Sequence, residues 1–278
     1  MEYYNLITGL PDLHADNTKS APELRELLAE LRSVMSKNDS KLLDILLMRY
    51  DNDNLLAYMD NNAAELNDLG LLTADDWHEL LDILSDEDNK EKRDARLQKY
   101  VKAFYETIHD EEQSTSIDSK EDFLTRLYYE FGMQCKNRFV AEWFEYCLNM
   151  NNVIATVICR KHGFNVKAAV IGDNEIADAL RSSNARDFGL IGQFDDVDKF
   201  LSVAEEPNPL DREHKMDALK WAWLEEHTFF DHFSVENVLS YWIRCELLHR
   251  WDCLSVEQGK EVFRGLLNEM KKDIHFES

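Results

Sequence analysis

Glycine and proline are scarce, at nine and four in 278 residues, where an average protein carries roughly 12% of the two together. Sheets joined by tight turns draw on both, glycine for positive φ and proline for a pre-set φ, so the scarcity argues against strand-rich architectures. Positive charge is short as well: 31 Lys and Arg face 55 Asp and Glu, a formal charge of −24. Such a field repels nucleic-acid phosphates and anionic lipid, and no basic run offsets it, so nucleic acid is not an expected partner. No apolar run approaches the ~20 residues of a membrane span, and Met1-Glu2-Tyr3-Tyr4-Asn5 lacks the basic and apolar regions of a signal peptide. The expectation is a cytoplasmic chain with no segment inserted in a membrane. Paired cysteine motifs are missing too: Cys135, Cys147, Cys159, Cys245 and Cys253 are odd in number and contain no C-x-x-C, which fits free buried thiols in a reducing compartment.

What is present is helical punctuation. Hydrophobic residues make up 44% of the chain, enough at this length for one large core or two to three smaller ones. Ser20-Ala21-Pro22-Glu23 reads as a capping box ahead of Leu24, Leu27, Leu28, Leu31, Val34 and Met35 at helical spacing. Thr73-x-x-Asp76, Ser119-x-x-Asp122 and Ser255-x-x-Gln258 open comparable stripes, and Leu97, Tyr100, Val101, Phe104, Tyr105 and Ile108 form another. The charged stretches 85–96 and 109–120, and Glu205-Glu206-Pro207-Asn208-Pro209, read as connections. Only 3–10 and 166–172 read as short extended segments. The expected fold class is all-α, with more than about half of the residues helical.

One pattern recurs. Tyr50-Asp51-Asn52-Asp53-Asn54-Leu55-Leu56, Leu148-Asn149-Met150-Asn151-Asn152-Val153-Ile154 and Phe233-Ser234-Val235-Glu236-Asn237-Val238-Leu239 each place a large apolar residue before a short polar one, then two free positions, Asn and two aliphatics. Each copy follows an apolar helical run. The expectation is three helix–break–helix units, with Asp51, Asn149 and Ser234 as N-caps and Asn54, Asn152 and Asn237 at the third helical position. The chain 1–278 then reads as a single helical body of approximate repeats 20–108, 119–190 and 191–278.

A hydrophobic-Asp-x-x-Asn-Leu motif repeated through an all-helical chain resembles the C-type subunits of V/A-type ATP synthases, the d-type subunits of the eukaryotic proton pump. Arg244-x-Glu246-x-x-x-Arg250 adds to that likeness. Tyr3-Tyr4-x-Leu6, Gly9-Leu10-Pro11-Asp12-Leu13, Cys135-Lys136-Asn137-Arg138-Phe139, Arg181-x-Ser183-Asn184-Ala185-Arg186-Asp187-Phe188-Gly189-Leu190 and Trp223-Leu224-Glu225-x-x-Thr228-Phe229-Phe230 are similar, across the whole chain, to a bacterial family encoded beside V-type ATP synthase subunits. The resemblance implies a non-catalytic peripheral subunit linking the central stalk to the membrane rotor ring, with stalk and ring proteins as partners and no cofactor. A helical scaffold or assembly factor for the same complex is the alternative. An all-α metal-dependent enzyme is a third reading, from another class.

Chemical motifs are sparse. Asp187-Phe188-Gly189 lacks the other kinase elements, Glu246-x-x-His249 has no second copy for a di-iron site and reads as an exposed helix pair, and His227 with His232 lacks zinc-ligand spacing. Asp195-Asp196-Val197-Asp198 reads as a solvated face. No catalytic, cofactor or metal residues are assigned, and ATP binding is not expected. The densest polar group, Arg181, Asn184, Arg186 and Asp187, is either a partner contact or an internal ion-pair cluster, with the internal role favoured because half-buried arginine finds carboxylates.

Overall fold

The computed structural model describes residues 3–60, 66–85, 94–110, 112–117, 119–192, 194–230 and 232–253. Among them there are twelve α-helices and no strands: α1 (Tyr4–Gly9), α2 (Leu24–Val34), α3 (Lys37–Met59), α4 (Ala74–Ser85), α5 (Lys99–His109), α6 (Lys120–Met133), α7 (Arg138–His162), α8 (Val166–Ala169), α9 (Glu175–Ser182), α10 (Val197–Ala204), α11 (Pro209–Thr228) and α12 (Val235–Cys253). Helix accounts for 71% of the structure, about twice the share in an average globular protein, so the all-α expectation holds.

Local chemistry sets most of the starts. Ser36 Oγ accepts from Asp39 N at 3.2 Å at the head of α3, and Asn137 Oδ1 accepts from Val140 N at 3.1 Å at the head of α7. Thr73 and Asp76 form a reciprocal box before α4: Asp76 N donates to Thr73 Oγ1 at 3.2 Å and Thr73 N donates to Asp76 Oδ2 at 2.9 Å. The Thr73 bonds, with Arg96, hold the Asp76 carboxyl down to about 2. Asp122 N donates to Ser119 Oγ at 3.1 Å, as its spacing predicts. One start and two segments differ from expectation. Glu23, not Ser20, caps α2, its carboxylate accepting from Glu26 N at 2.9 Å; Pro22, lacking an N–H, precedes this cap. Residues 3–10 and 166–172 are not extended: they contain α1 and α8. The Ser255 start lies outside the described residues.

The chain divides into two compact units, 1–35 with 217–278, and 36–216. The repeats expected from the sequence, 20–108, 119–190 and 191–278, do not coincide with these units: the first would begin at residue 20 in one unit and end in the other. In the larger unit α7 packs against α6, α8, α9 and α10, and α6 against α5 and α3. Leu43, Leu47, Leu55, Trp77, Phe104, Leu124, Val153 and Phe200 are buried there. In the other unit α12 packs against α2 and the 3-10 turn Thr18–Ser20. Tyr241 Oη donates to Pro11 O at 2.9 Å, His249 Nε2 hydrogen-bonds Pro22 O at 2.7 Å, and the buried Asp217 carboxylate meets Arg250 at 2.7 Å and the Trp251 indole N–H at 2.9 Å. Glu246 is buried, so Glu246 and His249 are not the exposed pair expected. Among the described residues no helix is long and apolar enough to cross a membrane.

The helix–break–helix expectation fails at two of its three copies. Asp51 and Asn54 lie inside the 23-residue α3, and Asn149 and Asn152 inside the 25-residue α7, with no break at either. Short polar side chains break helices by competing for backbone hydrogen bonds; these four spend their bonding on other groups. Ser234 is a true start: its Oγ accepts from Asn237 N at 3.4 Å, α12 follows, and α11 precedes it.

Candidate functional site

All four mid-helix residues are 2 to 4% exposed, and a buried polar group must find partners. They find them in the loops that lead into the next capped helix. On α3, Asn54 Oδ1 accepts from Asn67 N at 2.6 Å while its Nδ2 donates to Asn67 O at 2.8 Å. On α7, Asn152 Oδ1 accepts from Ile171 N at 2.9 Å while its Nδ2 donates to Ile171 O at 2.7 Å. Each asparagine thus satisfies both backbone groups of one loop residue, as a neighbouring strand would. One helical turn earlier, Asp51 Oδ2 and Oδ1 accept from Leu71 N at 3.1 Å and Leu72 N at 3.0 Å. Asn149 Oδ1 accepts from Asn174 Nδ2 at 2.8 Å, and Asn174 Oδ1 caps α9 through Ala177 N at 2.8 Å. The recurring motif is therefore a clamp: a long helix, a buried polar pair, a pinned loop and a capped helix.

The loops come close enough to need glycine. A Cβ on Gly70 would stand 2.7 Å from Asn54 Nδ2 and 2.9 Å from Asp51 Oδ1; Gly172 has φ +82° and would bring a Cβ to 3.2 Å from Leu148.

Charge distinguishes the two clamps. Burial, opposed by the Leu71 and Leu72 N–H groups and aided by Asp44 and Asp76, pushes the Asp51 carboxyl up to about 6. Asp51, Leu72, Trp77, Arg96 and Tyr100 line a 240 Å³ cavity. Arg96 is committed to Asp76 at 2.6 Å, Asp94 at 2.7 Å and Glu79 at 2.9 Å. Tyr100 Oη donates to Asn52 Oδ1 at 2.7 Å.

The Arg181 group separates. Arg181 donates to the carbonyls of Val170 at 3.0 Å and Gly172 at 2.5 Å, and its other terminal nitrogen lies 3.6 Å from Asp173 and 3.5 Å from Asp178. It is internal, gripping the same loop as Asn152. Arg186 reaches Glu205 at 2.6 Å from an exposed position, Asn184 is exposed, and Asp187 accepts from Leu190 N at 2.9 Å through its carbonyl. They form no common cluster. Phe188, the centre of the kinase-like triplet, is buried at φ +57° with the Arg160 guanidinium 4.3 Å from its ring centroid. Arg160, which sequence reasoning missed, also donates to Ala185 O at 2.8 Å and to Ser183 O. The triplet is a packed turn.

Residues 1–274 match the model of a family described as protein of unknown function, DUF2764. The chain belongs to this family. No curated protein and no solved structure matches it. Within this DUF2764 chain, the described residues contain no group of three or more His, Cys, Asp or Glu placed to hold a metal. Cys135, Cys147, Cys159 and Cys245 are free thiols. The organised polar chemistry is that of the clamps, and what clamps do is fix loops between helices.

Proposed function

We propose that this DUF2764 chain is a non-catalytic peripheral component of a V/A-type ATP synthase or proton pump, linking the central stalk to the rotor ring. The observation that carries the reading is the paired clamp: the motif underlying the likeness to the C-type subunits of those machines recurs as the same buried arrangement on the two longest of the described helices, one internal design used twice. Rigidly pinned helices suit a part that transmits force through its surfaces. Phe229 and Phe230, 63% and 88% exposed at the turn between α11 and α12, supply apolar contact in a chain of charge −24, a combination fitted to a partner with a basic rim.

The test is sedimentation of the protein with native membranes from strains with and without the rotor ring, together with its stoichiometry in the purified complex. Fixed stoichiometry and ring-dependent sedimentation are expected, with an association rate that falls as salt is raised. Soluble behaviour in both strains overturns the rotor role, and transient co-purification with incomplete complexes would point to an assembly factor.

A further inference from the structure

In a chain of formal charge −24, one cleft of the larger unit has more cations than carboxylates in its lining. This cleft, 610 Å³ in volume, lies between α5, the head of α6, α8 and α9, and its lining includes Arg126, Lys167 and Arg181 with one carboxylate, Asp122. The volume is in the range of small-molecule sites. Phe123, Ile117 and Ile171 supply an apolar wall.

The cations differ in commitment. Arg181 is engaged by the Val170 and Gly172 carbonyls and neighbours two aspartates, so it builds the wall. With Asn152 holding Ile171, three consecutive residues of that wall are fixed from outside the loop, which reduces the ordering needed on binding. Arg126 is not spent in this way. Its Nε is buried with no hydrogen-bond acceptor, its ion pair with Glu130 on the same helix is too long at 3.7 Å for a hydrogen bond, and its guanidinium carbon lies 4.9 Å from the Phe123 ring centroid. A buried donor without an acceptor calls for one. Lys167 is exposed and makes no ion pair among the described residues.

We propose that this cleft binds a small organic anion, its phosphate or carboxylate held by Arg126 and Lys167 and its apolar body lying against Phe123, Ile117 and Ile171. The site is independent of the partner reading above and stands whether or not the chain is found in a rotary complex.

Calorimetric titration of the full chain with phenyl phosphate, benzoate, inorganic phosphate and phenol tests it. Saturable binding of phenyl phosphate or benzoate is expected, at least about tenfold tighter than inorganic phosphate, with none for phenol. A tighter phenyl phosphate identifies a dianionic ligand and a tighter benzoate a carboxylate. Arg126→Gln and Lys167→Glu should each weaken binding about tenfold, whereas Arg138→Gln, at an exposed cation outside the lining, leaves it unchanged. Circular dichroism of each variant verifies the helical fold. No saturable binding of either organic anion, equal affinity for inorganic phosphate, or folded Arg126 and Lys167 variants that bind as wild type would overturn the proposal.

Discussion

At α3 a carboxylate, Asp51, and at α7 an amide, Asn149, hold the first position of the same buried pair, and each is followed one turn later by an asparagine gripping both backbone groups of a loop residue. The asparagine position is chemically constrained: only an amide offers a donor and an acceptor in one plane to a peptide N–H and C=O. The first position is looser, because it needs only acceptors. Asp51 receives two backbone N–H groups directly, while Asn149 works through Asn174, itself the cap of the next helix. The comparison teaches that loop pinning is the retained element and charge the variable one.

The comparison breaks most visibly at the shared asparagines. Asn54→Ala or Asn152→Ala would remove the partner of both backbone groups of Asn67 or Ile171, in pairs that are part-buried. Each substitution should cost about 2 kcal/mol, measured by urea unfolding. Similar costs support equivalent clamps; a cost under about 1 kcal/mol at one site would show that water replaces that asparagine and that the two are not alike.

Next in size is the charge difference. Because the folded Asp51 carboxyl titrates near 6, above the ordinary 3.8, the folded state binds this proton more tightly than the unfolded chain. Its ionisation penalty is therefore fully present above pH 6 and is relieved as pH falls toward 4, by roughly 3 kcal/mol in all and somewhat under half of that by pH 5. Other carboxylates shift the other way, Asp76 among them, so the quantity to follow is the stability of Asp51→Asn minus that of wild type. It should fall by about 1 kcal/mol between pH 7 and pH 5. The corresponding substitution Asn149→Asp should introduce a pH dependence of the same sign where wild type has none at that site. A flat difference for Asp51→Asn would mean that water solvates the carboxylate.

How much of this was legible in the sequence follows from the range of each interaction. Thr73 with Asp76 and Ser119 with Asp122 were readable because both partners lie within one turn. The recurrence itself was visible, but its meaning was not: a short polar residue between apolar ones looks the same whether it caps its own helix or reaches a loop 13 to 25 residues away. A corrective signal was present. The apolar positions Leu43, Leu47, Tyr50 and Leu55 keep helical spacing straight through Asp51, with no glycine or proline to end the helix. The stretches 3–10 and 166–172 misled because aromatic and β-branched residues suggest extension, whereas burial of Leu6 and the Asn165 cap select short helices. The anion cleft was not readable at all: Arg126 and Lys167 meet only when α6 and α8 are placed.

The smallest effects come from the loop glycines, which meet their helices for different reasons. Gly70 has ordinary φ, so alanine there is opposed only by space: its Cβ would press on Asn54 Nδ2 and Asp51 Oδ1, side-chain ends that would move freely on a surface but are here fixed by buried hydrogen bonds. Gly172 has left-handed backbone, and its nearest obstacle, Leu148 Cδ2 at 3.2 Å, can yield by a few tenths of an ångström. Gly172→Ala should therefore cost about 1 kcal/mol, mostly backbone strain, and Gly70→Ala about 1–2 kcal/mol from overpacking. Pairing each with the local asparagine change separates the two causes. In the Asn54→Ala background much of the Gly70→Ala cost should vanish, because the crowding amide is gone, whereas Gly172→Ala should cost the same with or without Asn152. If both pairs prove additive, close approach to the clamp is not what requires glycine at residue 70.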